Sequence, residues 1–302
     1  MAQLEVKQVS KQYKQKKAVD NVSFRLHENT CVALLGPNGA GKTTILRCLA
    51  QLLHPTSGTI HFDNQAHTED IRPYIGYLPQ YPKFYGWMSG LEFLLYSGKL
   101  ANMDKNTLKK RADELLALVG LSEAKNKKIR SYSGGMLQRL GIAQAIIHKP
   151  RILMLDEPVS SLDPIGRREV LHLMEQLKEE MTIIFSTHIL SDADEISDEL
   201  LLLHNGKLIE SGRLEDLRET YKTETIELSF DGDLNDYHEE IQHLSSVTDI
   251  SIVRNTMHVT VKDVAEARSE IFLKSNEKNW PLTSFTVNKA SLEDMFMKAV
   301  QK

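Results

Sequence analysis

Short apolar runs alternate with longer amphipathic stretches along most of the chain, the pattern of a sheet with helices packed on it. Residues 4–9 set Leu, Val and Val between polar partners, and residues 22–26 alternate again. The chain therefore opens with antiparallel strands that bury one face. Unbroken apolar runs follow at 31–35, 152–155 and 182–185; strands that read this way are buried on both faces, as in a parallel sheet. Residues 59–62 and 75–78 add two short strands, and 200–203 and 207–210 flank Asn205-Gly206, a tight hairpin signal. Helical spacing marks 44–53, all of 91–119, the stretch from Gly134 to the stop at Pro150, and the stretch carrying Val170, Leu173 and Leu177. A short polar helix at 214–221 closes this part.

Beyond it, strands at 225–230, 248–253, 257–261 and 283–287 and helices at 234–244 and 264–274 give the order strand, helix, strand, strand, helix, strand, that of a small ferredoxin-like unit. A last helix over 291–300 opens on a capping box at Ser291 and Asp294. The expected architecture is α/β: a mixed sheet core with an antiparallel β subdomain and a helical lobe at about 86–150, all within residues 1–221, then an accessory α+β domain over 222–302.

Composition removes several functions. A net charge of −4 argues against a dedicated nucleic-acid surface. The basic clusters at 11–17 and 125–130 read as solvated faces. No apolar run approaches the roughly 18 residues of a membrane span, and residues 1–10 lack the apolar core of a signal peptide, so a cytoplasmic chain is expected. Cys31 and Cys48 have no zinc or redox spacing and read as reduced core residues.

The chemistry begins where the 31–35 strand ends. Gly36-Pro37-Asn38-Gly39-Ala40-Gly41-Lys42-Thr43-Thr44 is a phosphate-binding loop set between a strand and a helix. Its glycines can turn successive amides onto phosphates while the helix adds its positive end. Lys42 would neutralise the β and γ phosphates, and the Thr43 hydroxyl would ligate Mg²⁺. The strand at 152–155 ends in Asp156-Glu157, where Asp156 would hold the Mg²⁺ shell and Glu157 would act as general base on the attacking water.

Four further signals are ambiguous alone. Tyr13 either stacks on a purine or packs; Gln80 reaches the metal or the attacking water, or is a solvated loop residue. Ser133-Gly134-Gly135 is a second anion site or an ordinary helix cap, and His188 touches a γ phosphate or the surface. Between them, residues 81–96 crowd Tyr81, Phe84, Tyr85, Trp87, Phe93 and Tyr96 together, more rings than one element buries; some face a core, and the rest either pack as well or form an apolar surface for a partner.

Taken in order, these residues resemble the ATP-binding cassette of ABC transporters over about residues 4–221. Tyr13 resembles the adenine-stacking aromatic, Gly36 to Thr44 the Walker A loop, Gln80 the Q-loop glutamine and Ser133-Gly134-Gly135 the signature motif. Residues 152–156 resemble Walker B, Glu157 the catalytic glutamate, Ser161-Leu162-Asp163 the D-loop and His188 the switch histidine. The family signature reads Leu-Ser-Gly-Gly-Gln, whereas Tyr132 and Met136 flank it here; Met136 lacks the amide's hydrogen bonds. The Tyr and Met resemble the ABC-2 exporter branch, whose membrane subunits are separate chains.

The resemblance implies an ATPase that uses ATP and Mg²⁺ and pairs head to tail with a second cassette. ATP on one Walker A loop is then capped by the signature of the other. It also implies a separate polytopic permease and a peripheral place on the cytoplasmic face of the membrane. The accessory domain reads as a dimerisation or regulatory module. The competing expectation is a soluble ABC-type ATPase acting on ribosomes or nucleic acid; a single uninterrupted cassette disfavours it.

Overall fold

The computed structural model describes residues 2–62, 70–221, 224–287 and 292–301. The chain divides into two compact units, Met1–Leu214 with Ala299–Lys302, and Glu215–Lys298. In the first, β1 (Ala2–Tyr13), β2 (Lys16–His27), β3 (Cys31–Leu35), α1 (Lys42–Leu49), β4 (Ser57–Phe62) and β5 (Ile75–Leu78) come first. Then follow α2 (Gly90–Leu100), α3 (Lys105–Leu118), α4 (Gly134–Ala145), β6 (Ile152–Asp156), α5 (Pro164–Lys178), β7 (Thr182–Thr187), α6 (Leu190–Ile196), β8 (Glu199–His204) and β9 (Lys207–Arg213).

Two sheets result. An antiparallel one has the order β2-β1-β4; a six-stranded one runs β5-β6-β7-β3-β8-β9, parallel except for the β8–β9 hairpin. The hairpin turns at Asn205 and Gly206, both with positive φ, as the dipeptide requires. Helix α1 is buried against both sheets: Ile45, Leu46 and Leu49 share one core cluster with Leu4, Val6, Val32, Leu34, Met154 and Leu203. The alternating and the unbroken apolar runs thus became the one-sided and the two-sided sheet.

Some boundaries differ from expectation. The helical stretch at 91–119 is two helices. Asp104 caps the second by accepting from the amides of Asn106 at 3.0 Å and Thr107 at 3.1 Å, and Asn102 before it has φ 56°. The break folds α3 back on α2 so closely that a Cβ on Gly98 would meet Leu108 Cδ1 at 2.1 Å. The helix after the loop ends at Leu49, not at residue 53, because Gln51 turns into the left-handed region at φ 55°. Helix α6 is an addition: its seven residues are too few for a periodic signal.

The second unit holds most of α7 (Leu214–Thr220), then β10 (Thr225–Phe230), α8 (Asn235–Gln242), β11 (Val247–Val253), β12 (Thr256–Val261), α9 (Val264–Lys278), β13 (Leu282–Val287) and most of α10 (Leu292–Gln301). Its sheet has the order β11-β12-β10-β13, antiparallel throughout. Ile226, Leu228 and Phe230 alternate inward from β10 and join Ile241 of α8 and Ile271 of α9 in a separate core. Of the capping box at Ser291 and Asp294, Ser291 lies outside the described residues.

Candidate functional site

Four neighbouring strands of the parallel sheet end at one level. Leu78 pairs with Leu155, Asp156 with Ser186, and Leu35 with Thr187. The residues just beyond those pairs therefore converge: Gln80 after β5, Glu157 after β6, His188 after β7 and Gly36 after β3. Ligands of open parallel sheets bind at such carboxyl ends.

The loop between β3 and α1 is shaped by close backbone contacts. Gly39 and Gly41 have φ of 81° and 107°, conformations that favour glycine. Gly36 does not; it is glycine because a Cβ there would meet the Leu203 carbonyl oxygen at 2.2 Å, a steric reason and not the backbone freedom expected of it. A Cβ on Gly41 would likewise meet the Ala18 oxygen at 2.3 Å. Ala40 is buried, Pro37 and Asn38 are exposed, and Thr43 and Thr44 are half-buried in the first turn of α1.

Lys42 is 5% exposed, and its ammonium donates to the carbonyls of Gly36 at 2.7 Å and Pro37 at 3.1 Å. Burial lowers its pKa, and Glu157, 3.6 Å away, opposes that shift. Glu157 sits at φ 49°, strained for a side chain by an energy on the order of 1 kcal/mol. Its carboxylate accepts from Gln80 Nε2 at 3.0 Å and lies 3.5 Å from His188 Nδ1. One carboxylate thus gathers a lysine, a glutamine and a histidine.

Asp156 is buried. Its Oδ1 accepts from Thr43 Oγ1 at 3.0 Å and Ser186 Oγ at 2.8 Å, while Oδ2 has no hydrogen-bond partner among the described residues. Burial pushes this carboxyl above its usual range, against the pull of the two hydroxyls. Ser186 also accepts the Glu157 amide at 2.9 Å, so it fixes both acids. The sequence reading assigned Ser186 nothing, although a hydroxyl pair closing an apolar strand was a signal. A cavity of about 460 Å³ is lined by Lys42, Thr43, Gln80 and Glu157 together with Tyr13, Lys16 and Asn38; Asp156 and His188 do not line it. Tyr13 is half exposed beneath the Lys11 ammonium, 5.5 Å from the ring centre.

Ser133, Gly134 and Gly135 do not line that cavity. Ser133 caps α4, accepting from Met136 N at 3.3 Å. A Cβ on Gly134 would find only Leu162 Cδ2 at 4.0 Å, and one on Gly135 the Gly166 Cα at 3.8 Å, so no contact among the described residues requires either glycine. Helix α5, capped by Asp163, starts beside them. The aromatic stretch divides: Phe93 is core and Phe84 packs edge-on against it, while Tyr81 and Trp87 are 69% and 67% exposed. A groove of about 890 Å³, lined by Phe84, Tyr85, Tyr96, Met103 and His148, opens near them. The basic clusters are ordinary surface: Lys17 pairs with Asp20, Lys125 with Asp113 and Lys128 with Glu92. Cys31 and Cys48 are buried thiols, pushed up to about 12 and about 11 by burial.

Comparison with known proteins bears on the chain's family. Residues 19–160 match the family model described as ABC transporter, and residues 212–300 match the C-terminal domain of ATP-binding proteins like DrrA1-3. The chain is 44% identical over 299 residues to the ABC transporter ATP-binding protein YxlF of Bacillus subtilis, covering 98% of this chain and 99% of that one. It is 32% identical to the bacitracin transport ATP-binding protein BcrA of Enterococcus faecalis, covering 98% and 96%. Among solved structures it resembles the dimeric post-hydrolysis state of the ATP-binding cassette MJ0796 bound to ADP and Pi, with a TM-score of 0.64 and 28% identity over 70% of this chain and 98% of that one. The phosphate loop, the acids at the strand ends and full-length similarity converge on one conclusion: the chain belongs to the ABC transporter ATP-binding proteins and is an ATPase of that family.

Proposed function

We propose that the chain energises export through a separately encoded polytopic permease, by a cycle in which ATP joins two cassettes and hydrolysis parts them. In this reading residues 1–221 form the cassette and 222–302 a ferredoxin-like accessory domain. Tyr13 stacks on the adenine, and the amides from Gly36 to Thr44 hold the phosphates with Lys42. Gln80 and His188 contact the attacking water and the γ phosphate, and Glu157 takes the proton of that water. Ser133, Gly134 and Gly135 serve the ATP of the facing cassette.

Mg²⁺ suits the residues present. A buried carboxylate oxygen of Asp156 with no partner among the described residues, next to the Thr43 hydroxyl, is the donor set of a hard cation, with Gln80 as a further oxygen. The ion, when bound, neutralises charge on the β and γ oxygens. The groove beside Tyr85 and Tyr96 is the surface offered to the permease. None of the helices among the described residues is long and apolar enough to cross a membrane, so attachment at the cytoplasmic face runs through that partner. The exporter direction draws on the similarity to the bacitracin transport protein and on the Tyr132 and Met136 flanks.

The observation that carries the two-cassette reading is the pair of glycines at 134 and 135, which the chain's own packing leaves unexplained. Gly135→Ala is expected to leave the melting temperature unchanged or slightly raised, since alanine is the better helix former by roughly 0.5–1 kcal/mol. ATP-driven dimerisation, followed by light scattering in the Glu157→Gln background, should fall sharply. A Gly135→Ala protein that dimerises as before removes the signature from the interface. Detergent extraction should recover the chain with a polytopic membrane protein; recovery with ribosomes instead would support the soluble alternative.

A further inference from the structure

Behind His188 lies a buried charge that the reading above leaves unused. Asp192 on α6 is 0% exposed, and burial pushes its carboxyl above the usual range while Arg167 pulls it back. Arg167 reaches it from α5 as an ion pair, and the same guanidinium donates to Ser191 Oγ at 2.8 Å. The other carboxylate oxygen, Oδ2, accepts from the Thr187 hydroxyl at 3.2 Å. That hydroxyl in turn accepts the amide of Ile189 at 3.0 Å. Thr187 and Ile189 are the chain neighbours of His188, so the backbone on both sides of the histidine hangs on one hydroxyl, and that hydroxyl on Asp192.

A buried ion pair is no better for stability than two well-packed apolar side chains, so its presence calls for a geometric reason. The geometry supplies one. Helix α5 starts at the Asp163 cap, directly after residues 160–162, and its Gly166 lies against Gly135. The pair therefore ties the turn bearing His188 to the region that, in the two-cassette reading, meets the partner.

We propose that Asp192 and Arg167 are positioning residues for hydrolysis: the pair holds His188 at Glu157 and makes that placement depend on the seating of α5. The inference rests on the proposed role of His188. A displacement of His188 by a fraction of its 3.5 Å spacing from Glu157 is enough to slow turnover about tenfold or more.

The test is a double-mutant cycle on the full chain with its co-purified membrane partner, reading phosphate release and ATP affinity separately. Asp192→Asn keeps the shape and removes the charge; kcat should fall about tenfold while the Kd for ATP stays within about twofold. In the His188→Ala background the same substitution should change kcat by less than about twofold, because the clamp then has nothing to hold. Arg167→Gln, on the solvent side of the pair, should repeat both results and serves if Asp192→Asn does not fold. Losses that multiply in the double variant, or a kcat untouched by either substitution, overturn the inference alone. Turnover at the wild-type rate in His188→Ala overturns the role of His188 and the clamp with it.

Discussion

Glu157→Gln is expected to lower phosphate release by about 10² to 10⁴-fold, the range general-base catalysis contributes, while ATP binding survives. The amide matches the carboxylate in volume and can still meet Gln80 and His188, which lie 3.0 Å and 3.5 Å from it. It cannot take a proton from water. It also removes the negative charge 3.6 Å from Lys42, a place the γ phosphate can fill in its stead. With MgATP saturating, sedimentation should show a dimer that persists, since the step that opens it is blocked. Hydrolysis within about tenfold of wild type would take Glu157 out of the reaction. A strictly monomeric protein, even with its membrane partner, would end the two-cassette cycle.

Asp156→Asn should move stability and activity in opposite directions. Burial raises this carboxyl above its ordinary pKa, so the folded chain holds the proton more tightly than the unfolded one. The stability tied to that proton is present below the ordinary carboxylate range and is lost as pH rises through the raised value. In the apo protein the ionised carboxylate is therefore the disfavoured form, and one of its oxygens has no hydrogen-bond partner among the described residues. Asparagine keeps an oxygen for Thr43 and Ser186, does not titrate, and should stabilise the nucleotide-free form by about 1 kcal/mol, or about 2–4 °C in melting temperature. In the proposed reading the same change removes the anionic ligand of Mg²⁺, so MgATP hydrolysis should fall by at least about 10²-fold. Magnesium ions alone should raise the melting temperature of the wild type and leave that of Asp156→Asn in place. An unaltered or lowered melting temperature for the apo variant would show that the buried charge is not a burden.

What the sequence made legible follows the range over which each device acts. The phosphate loop, the acids after β6 and the Asn205-Gly206 hairpin are contiguous, so residue type and spacing suffice. The reason for Gly36 was hidden because the Leu203 carbonyl that excludes a Cβ lies far along the chain. Ser186 looked like a strand end, since its two acid-fixing bonds cross to β6. Arg167 and Asp192 drew no reading, since Asp192 lies on a helix too short for a periodic signal; only the packing of α5 against α6 brings the pair together. The division of residues 91–119 was concealed by an apolar period that runs on through the turn, although Asp104 marked the second start.

The bracing of the phosphate loop by the Leu203 and Ala18 carbonyls has a thermodynamic corollary. A cradle already set by its neighbours has little freedom left to surrender when the triphosphate arrives, so affinity there is not spent on ordering the backbone. In the proposed cycle the ordering that ATP imposes is between molecules, where it is available to do mechanical work.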